Sequence, residues 1–251
     1  GERATVAAFI DATYVLSYRQ ALAGVLEVAG TLSAGAELRR AQARGATPAQ
    51  AALAREPFHV VTRPLFNATE SYATYIVPGV LVLIFQQTLL VGIGLVAGTR
   101  HERARACALQ PGARPADESL AGAAWRVPGR TAFYLALYGV HATVGFALVF
   151  GAHGFAVRAA APDLAWLMLP YLLAAILFAQ ALGALFGERE TAMFALVWTS
   201  LPAVFLAGFA WPREAMPAWL VAAGHLLPST PAIDGALRLT QLGARAADVA
   251  P

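Results

Sequence analysis

The chain has 251 residues, 58% of them hydrophobic and 13% charged, with a mean hydropathy of +0.58 and a formal net charge of +3. A soluble domain carries about 25% charged residues and could not bury this much apolar surface in one core, so the composition points to a bilayer. The basic residues are all arginine and are scattered, which argues against a nucleic-acid partner, and the single cysteine, Cys107, excludes a disulfide framework or a cysteine metal site.

The chain opens on polar GERATV rather than on Met and an apolar leader, so sequence before Gly1 is expected. Residues 1–70 differ in kind from the rest. The stretch ATVAAFIDAT alternates weakly and reads as a strand. From Thr13 to Arg44 the apolar residues Tyr14, Tyr18, Leu22, Val25, Ala29 and Leu32 recur at helical spacing, and Gly45 stops the helix. Thr47-Pro48 caps a second short helix to Arg55, and HVVTRPLFN after it looks extended. This part reads as an external helical module or stalk.

Four stretches are long enough to cross about 30 Å of hydrocarbon, which takes about 20 helical residues. They are Tyr75–Gly98, Thr131–Phe150, Leu164–Phe186 and Thr191–Trp211, and none contains a charged residue. The predicted fold class is therefore an all-α integral membrane protein with four transmembrane helices. A shorter apolar run, Pro217–Leu227, reads as a re-entrant or interfacial helix between Trp211 and Pro228. Ser229-Thr230-Pro231 signals the start of a short amphipathic helix over Pro231–Leu242.

Arginine placement sets the orientation. Thr99–Arg130 holds six arginines (100, 103, 105, 114, 126 and 130) against three acids, whereas Gly151–Asp163 holds only Arg158. Thr99–Arg130 is thus expected in the cytoplasm, with residues 1–70 and the tail after Trp211 on the outer side.

Two separated motifs carry a family resemblance. Val77-Pro78-Gly79, followed by Leu81, Leu83, Ile84 and Gln86-Gln87, resembles the first span after the external domain in the permeases of type-two ABC exporters. Gly208–Ala244, with its Gly-aromatic run, Pro-Arg-Glu, short helix and Pro-Ser/Thr turn, resembles the external re-entrant region of the same family. The resemblance implies six spans, the first before Gly1 and the last after Pro251. It also implies an external domain ending in residues 1–70 and a homodimer in the membrane lipid of a bacterial inner membrane. Each subunit would sit on a separate cytoplasmic ABC ATPase, so ATP and Mg would bind the partner and no cofactor or metal this chain. Many members follow the first cytoplasmic turn with Gly-Thr-x-Glu; here RHERAR has no such sequel.

No nucleotide-binding loop, metalloprotease motif or nucleophile elbow is present, so no catalytic residue is expected. Arg100, Glu102, Arg103 and Arg105 extend the inner end of the first span and are the expected ATPase-coupling residues; the alternative is an ordinary solvated loop. Gln86, Gln87 and Gln180 lie within spans, where an amide needs a partner. They either line a translocation path or join helices within a subunit. The implied function is ATP-driven export of an amphiphilic or hydrophobic substrate. The alternative is a non-transporting scaffold or mechanotransmission subunit.

Overall fold

The computed structural model describes residues 7–10, 15–47, 49–50, 72–109, 120–154, 158–208, 211 and 213–249. It divides into two units, residues 1–72 and 73–251. All regular structure among the described residues is helical.

The first unit holds α1 (Val15–Ala43), which ends where Gly45 takes φ +90°. Thr47 and Gln50 then form a reciprocal cap: Gln50 N–H donates to Thr47 Oγ1 (3.4 Å) and Thr47 N–H to Gln50 Oε1 (3.1 Å). The expected strand is not formed at residues 7–10, which are neither strand nor helix; its remaining residues, most of the second short helix and the extended HVVTRPLFN lie outside the described residues.

The second unit begins with α2 (Tyr72–Ala108). The expected loop after it is in part helix, since α2 runs ten residues past Gly98 and α3 (Leu120–Val144) starts eleven before Thr131. Arg114 lies outside the described residues. A π-turn (Gly145–Val149) carries α3 into α4 (Phe150–His153). Then come α5 (Ala161–Gly183), α6 (Arg189–Trp198), α7 (Ser200–Leu206) and α8 (Ala218–Gly224). The last helices are α9 (Ser229–Leu237), prolonged by a π-turn (Arg238–Leu242), and α10 (Ala246–Val249).

Among the described residues, four helical segments are long and apolar enough to cross a membrane: Ser17–Ala43, Tyr72–Ala108, Trp125–His153 and Ala161–Gly183. The last three contain most of three predicted spans. The fourth predicted span, Thr191–Trp211, is instead broken into α6 and α7. Pro202 has no N–H for the Trp198 carbonyl, while Thr199 Oγ1 and Ser200 Oγ donate to the carbonyls of Leu196 (2.6 Å) and Val197 (2.7 Å). α1 has the length and composition of a span although its sequence places it in an extramembrane module; its mean hydropathy, 1.3, is the lowest of the four.

The second unit has apolar side chains on its outside. Phe133, Val140 and Val144 on α3 with Leu148 in the π-turn after it, and Trp166, Leu169, Leu173 and Leu177 on α5, form exposed stripes at helical spacing. Lipid solvates such faces as well as a protein core would. Its interior contains Gln86, Ser229, Thr230, Thr240 and Gln241.

Close helix approach depends on two glycines. A Cβ on Gly98 would stand 2.5 Å from the Arg189 backbone nitrogen, and one on Gly94 2.5 Å from Leu196 Cδ1. α2 and α6 therefore pack backbone against backbone near the end of α2 that carries Gly98. Gly94 and the buried Gln86 both turn toward this unit's own interior.

Candidate functional site

Polar chemistry gathers at two levels of the second unit. The first is the carboxyl-terminal extension of α2. Glu102 Oε1 accepts from Arg189 N–H (2.9 Å), so Glu102 caps the amino end of α6 from a neighbouring helix, and its other oxygen lies 3.7 Å from Arg189 Nε. Arg105 pairs with Glu188 (3.9 Å), and His101 Nδ1 donates to the Phe186 carbonyl (2.9 Å). These ion pairs are exposed, and each contributes under about 1 kcal/mol. Their effect is geometric: they tie the α2 extension to the 186–189 turn.

The predicted coupling residues thus divide. Glu102 and Arg105 bind within the chain. Arg103 is exposed, and Arg100 lies close enough to Arg130, as does Arg126, for the guanidiniums to repel. The partners of Glu102 and Arg105 are Arg189 and Glu188, which the sequence alone does not single out. Their opposite charges were visible, but the contact crosses from residue 102 to residue 189.

The second level is the hairpin of α8 and α9, taken with the residues that flank it, Trp211 and Arg213 before α8 and Arg238–Leu242 after α9. Gln86 Oε1 accepts from Ser229 N–H (2.7 Å), and Gln241 Nε2 donates to the Thr74 carbonyl (2.9 Å). From Gln86 to Thr74 is about 18 Å along α2, and from Ser229 to Gln241 about 18 Å along α9, at about 1.5 Å per residue. The two helices therefore run antiparallel in register. The predicted short amphipathic helix starts at Ser229 rather than Pro231 and is buried on most of its surface.

Both bonds repair a defect. Ser229 N–H is one of the donors a helix start leaves without an intrahelical acceptor. The expected cap from the Ser-Thr-Pro sequence is not made, because Ser229 is itself helical and its hydroxyl has no partner among the described residues. The Thr74 carbonyl is the acceptor orphaned by Pro78, four residues on, which carries no N–H. Tyr171 on α5 adds a third link, donating to the Val82 carbonyl (2.6 Å).

Gln87 points neither amide atom at a described partner, although both atoms are buried. Gln180 Nε2 donates to Thr131 Oγ1 (2.9 Å), joining α5 to α3. Arg213, part of the Pro-Arg-Glu motif, lays its side chain over Gly208, whose φ of +83° and missing Cβ leave room for it. Arg213 Nη2 donates to the carbonyls of Ala207 (3.5 Å) and Thr230 (3.3 Å). Arg213 stands out in the sequence only as part of the Pro-Arg-Glu motif and Gln241 not at all, because the partner of each lies on another element.

A family model described as ABC-2 family transporter protein matches residues 1–251. No curated protein and no solved structure matches the chain. A multi-pass helical unit with a matching family model along its whole length places this chain in the ABC-2 transporter family, as a membrane-embedded, non-catalytic component of an ABC transporter.

Proposed function

We propose that the chain is the permease subunit of an ATP-driven exporter and moves an amphiphilic or hydrophobic substrate with a separate cytoplasmic ABC ATPase. The observation that carries this reading is the join between the α2 extension and α6. A push on Arg103 reaches α2 through a continuous helix, and Glu102, Arg105 and His101 carry it to the start of α6. The broken α6–α7 rod is then free to shift while α2, with α9 bonded to it, stays intact.

The subunit works as a homodimer in a bacterial inner membrane. α2 presents Ile84, Thr88, Gly92 and Val96 on one exposed stripe, and nothing lies within 4 Å of a Cβ built on Gly92. Small residues on such a stripe permit close helix approach. The face through Gln86 and Gly94 packs inside the subunit and is closed to a second copy.

Thr99–Arg130 faces the cytoplasm, and residues 1–70 and the tail lie outside. α1 would carry Glu27 near the middle of a span, where an ionised side chain costs about 3 kcal/mol; it fits the outer stalk better. In a Cys107→Ser background, a membrane-impermeant thiol reagent added to intact cells should label Arg19→Cys and Arg40→Cys but not Arg103→Cys. Labelling of Arg40→Cys with protection of Arg19→Cys would make α1 a span, and labelling of Arg103→Cys alone would invert the topology.

A further inference from the structure

The base of the hairpin holds more donors than it pairs. Ser229, Thr230 and Gln86 are 0%, 1% and 0% exposed, yet Ser229 Oγ, Thr230 Oγ1 and Gln86 Nε2 have no partner among the described residues. Buried polar atoms in that condition are rare in folded proteins, and each calls for an explanation. All three belong to one neighbourhood, the first turn of α9, because Gln86 is bonded to Ser229 N–H.

Arg213 reaches the same turn. Its Nη2 donates to the Thr230 carbonyl, and no ion pair among the described residues includes it. The hairpin's other described arginine, Arg238, is by contrast paired with Asp234 at 2.9 Å. A guanidinium has five donors, and the two carbonyl contacts use one nitrogen at long distance. Thr230 adjoins Ser229, which Gln86 holds about 21 Å along α2 from Tyr72. The guanidinium therefore lies within the depth of α2 rather than beyond its end. A cation at such depth marks a functional site with a counter-charge to be named. The amino end of α9 adds positive potential to the same spot. Trp211, Trp219 and Leu226 expose apolar surface on the same hairpin.

We infer that the hairpin base binds an anionic headgroup, a carboxylate or phosphate on an apolar tail. Arg213 is its ion-pair partner, and the Ser229 and Thr230 hydroxyls and the Gln86 amide are its neutral donors. This deepens the transport reading and rests on it for one of the two sources of that headgroup, the transported amphiphile; the other is a resident anionic lipid.

The test uses the chain with its ATPase partner in phosphatidylcholine nanodiscs, without nucleotide. The probes are a dansylated undecanoic acid and its methyl ester, at a pH that ionises the acid. The wild type should bind the acid about tenfold or more tightly than the ester. Arg213→Gln should bring the ratio near one with ester affinity unchanged, and Arg213→Lys should keep part of the preference. Phosphatidylglycerol that competes with the acid, and co-purifies with the wild type but not with Arg213→Gln, identifies a resident lipid as the source. No competition identifies the transported amphiphile. Equal binding of acid and ester by the wild type, or a ratio unchanged in Arg213→Gln, overturns the site. If proteoliposomes holding the same complex still move the ester when ATP is supplied, that failure leaves the transport reading standing. ATP hydrolysis that moves neither probe overturns transport and leaves the binding preference standing.

Discussion

Gln86→Leu isolates the bond that seats the hairpin. The change keeps the volume and removes the only acceptor that Ser229 N–H has beyond its own helix. A buried donor left without an acceptor costs about 1–3 kcal/mol. Two terms offset this: the unpartnered Gln86 Nε2 disappears, and side-chain hydrogen bonds between membrane helices average about 0.6 kcal/mol because the unfolded chain finds other partners. The net expected loss is about 1 kcal/mol. The companion variant is Ser229→Ala, which keeps the N–H and deletes a hydroxyl that has no partner among the described residues. It should be neutral or slightly stabilising. The assay is unfolding in mixed micelles by graded SDS, with amide exchange followed by mass spectrometry. Gln86→Leu should lower the midpoint and speed exchange over residues 227–237 by about fivefold, the factor that 1 kcal/mol corresponds to. If Ser229→Ala costs as much as Gln86→Leu, or Gln86→Leu costs nothing, the cap is not what holds α9.

Four further outcomes follow from the packing. Gly98→Ala puts a methyl against the Arg189 backbone, which cannot rotate away; about 1–3 kcal/mol of stability should be lost in the same unfolding assay, whereas Gly92→Ala should be silent in the monomer. Glu102→Ala removes both the α6 cap and the ion pair, and should lower stability by about 1 kcal/mol and ATP-driven transport with it; Glu102→Gln, which keeps an acceptor, should retain most of both. Arg103→Glu should leave the unfolding midpoint alone yet weaken ATPase recruitment in a pull-down, and intact recruitment would move the contact elsewhere. Single cysteines along α2 should cross-link into dimers at 84, 88, 92 and 96 but not at 86 or 94, and the opposite pattern would sink the proposed dimer face.

The membrane class and three of the spans were legible because hydropathy over about 20 residues is a local property. So was the end of α1 at Gly45, a residue that tolerates φ +90°. The break between α6 and α7 was only half legible. Pro202 announced a defect, but the back-bonds of Thr199 and Ser200 that help form it depend on rotamers. The hairpin was placed in the right stretch of sequence, but its second helix, expected to be amphipathic, is buried on most of its surface. Ser229-Thr230-Pro231 reads as a locally capped helix start, whereas the acceptor for Ser229 N–H comes from Gln86, far away in the chain. Gln241 had no local signal, since its partner is a carbonyl that Pro78 sets free on another helix. The charged residues after Gly98 stood out as a group. Which of them turn inward to Glu188 and Arg189 followed only from the antiparallel packing of α2 on α6.

The central claim is that ATP hydrolysis by a partner moves an amphiphile through this subunit. Proteoliposomes holding the chain and its co-purified ATPase should translocate a dansylated amphiphile when ATP is supplied on the ATPase side. The movement should stop when the ATPase's phosphate-binding lysine is replaced. Steady ATP hydrolysis that this chain stimulates, with no movement of acidic, neutral or basic amphiphiles, would contradict the account and make the subunit a transmitter of force rather than a permease.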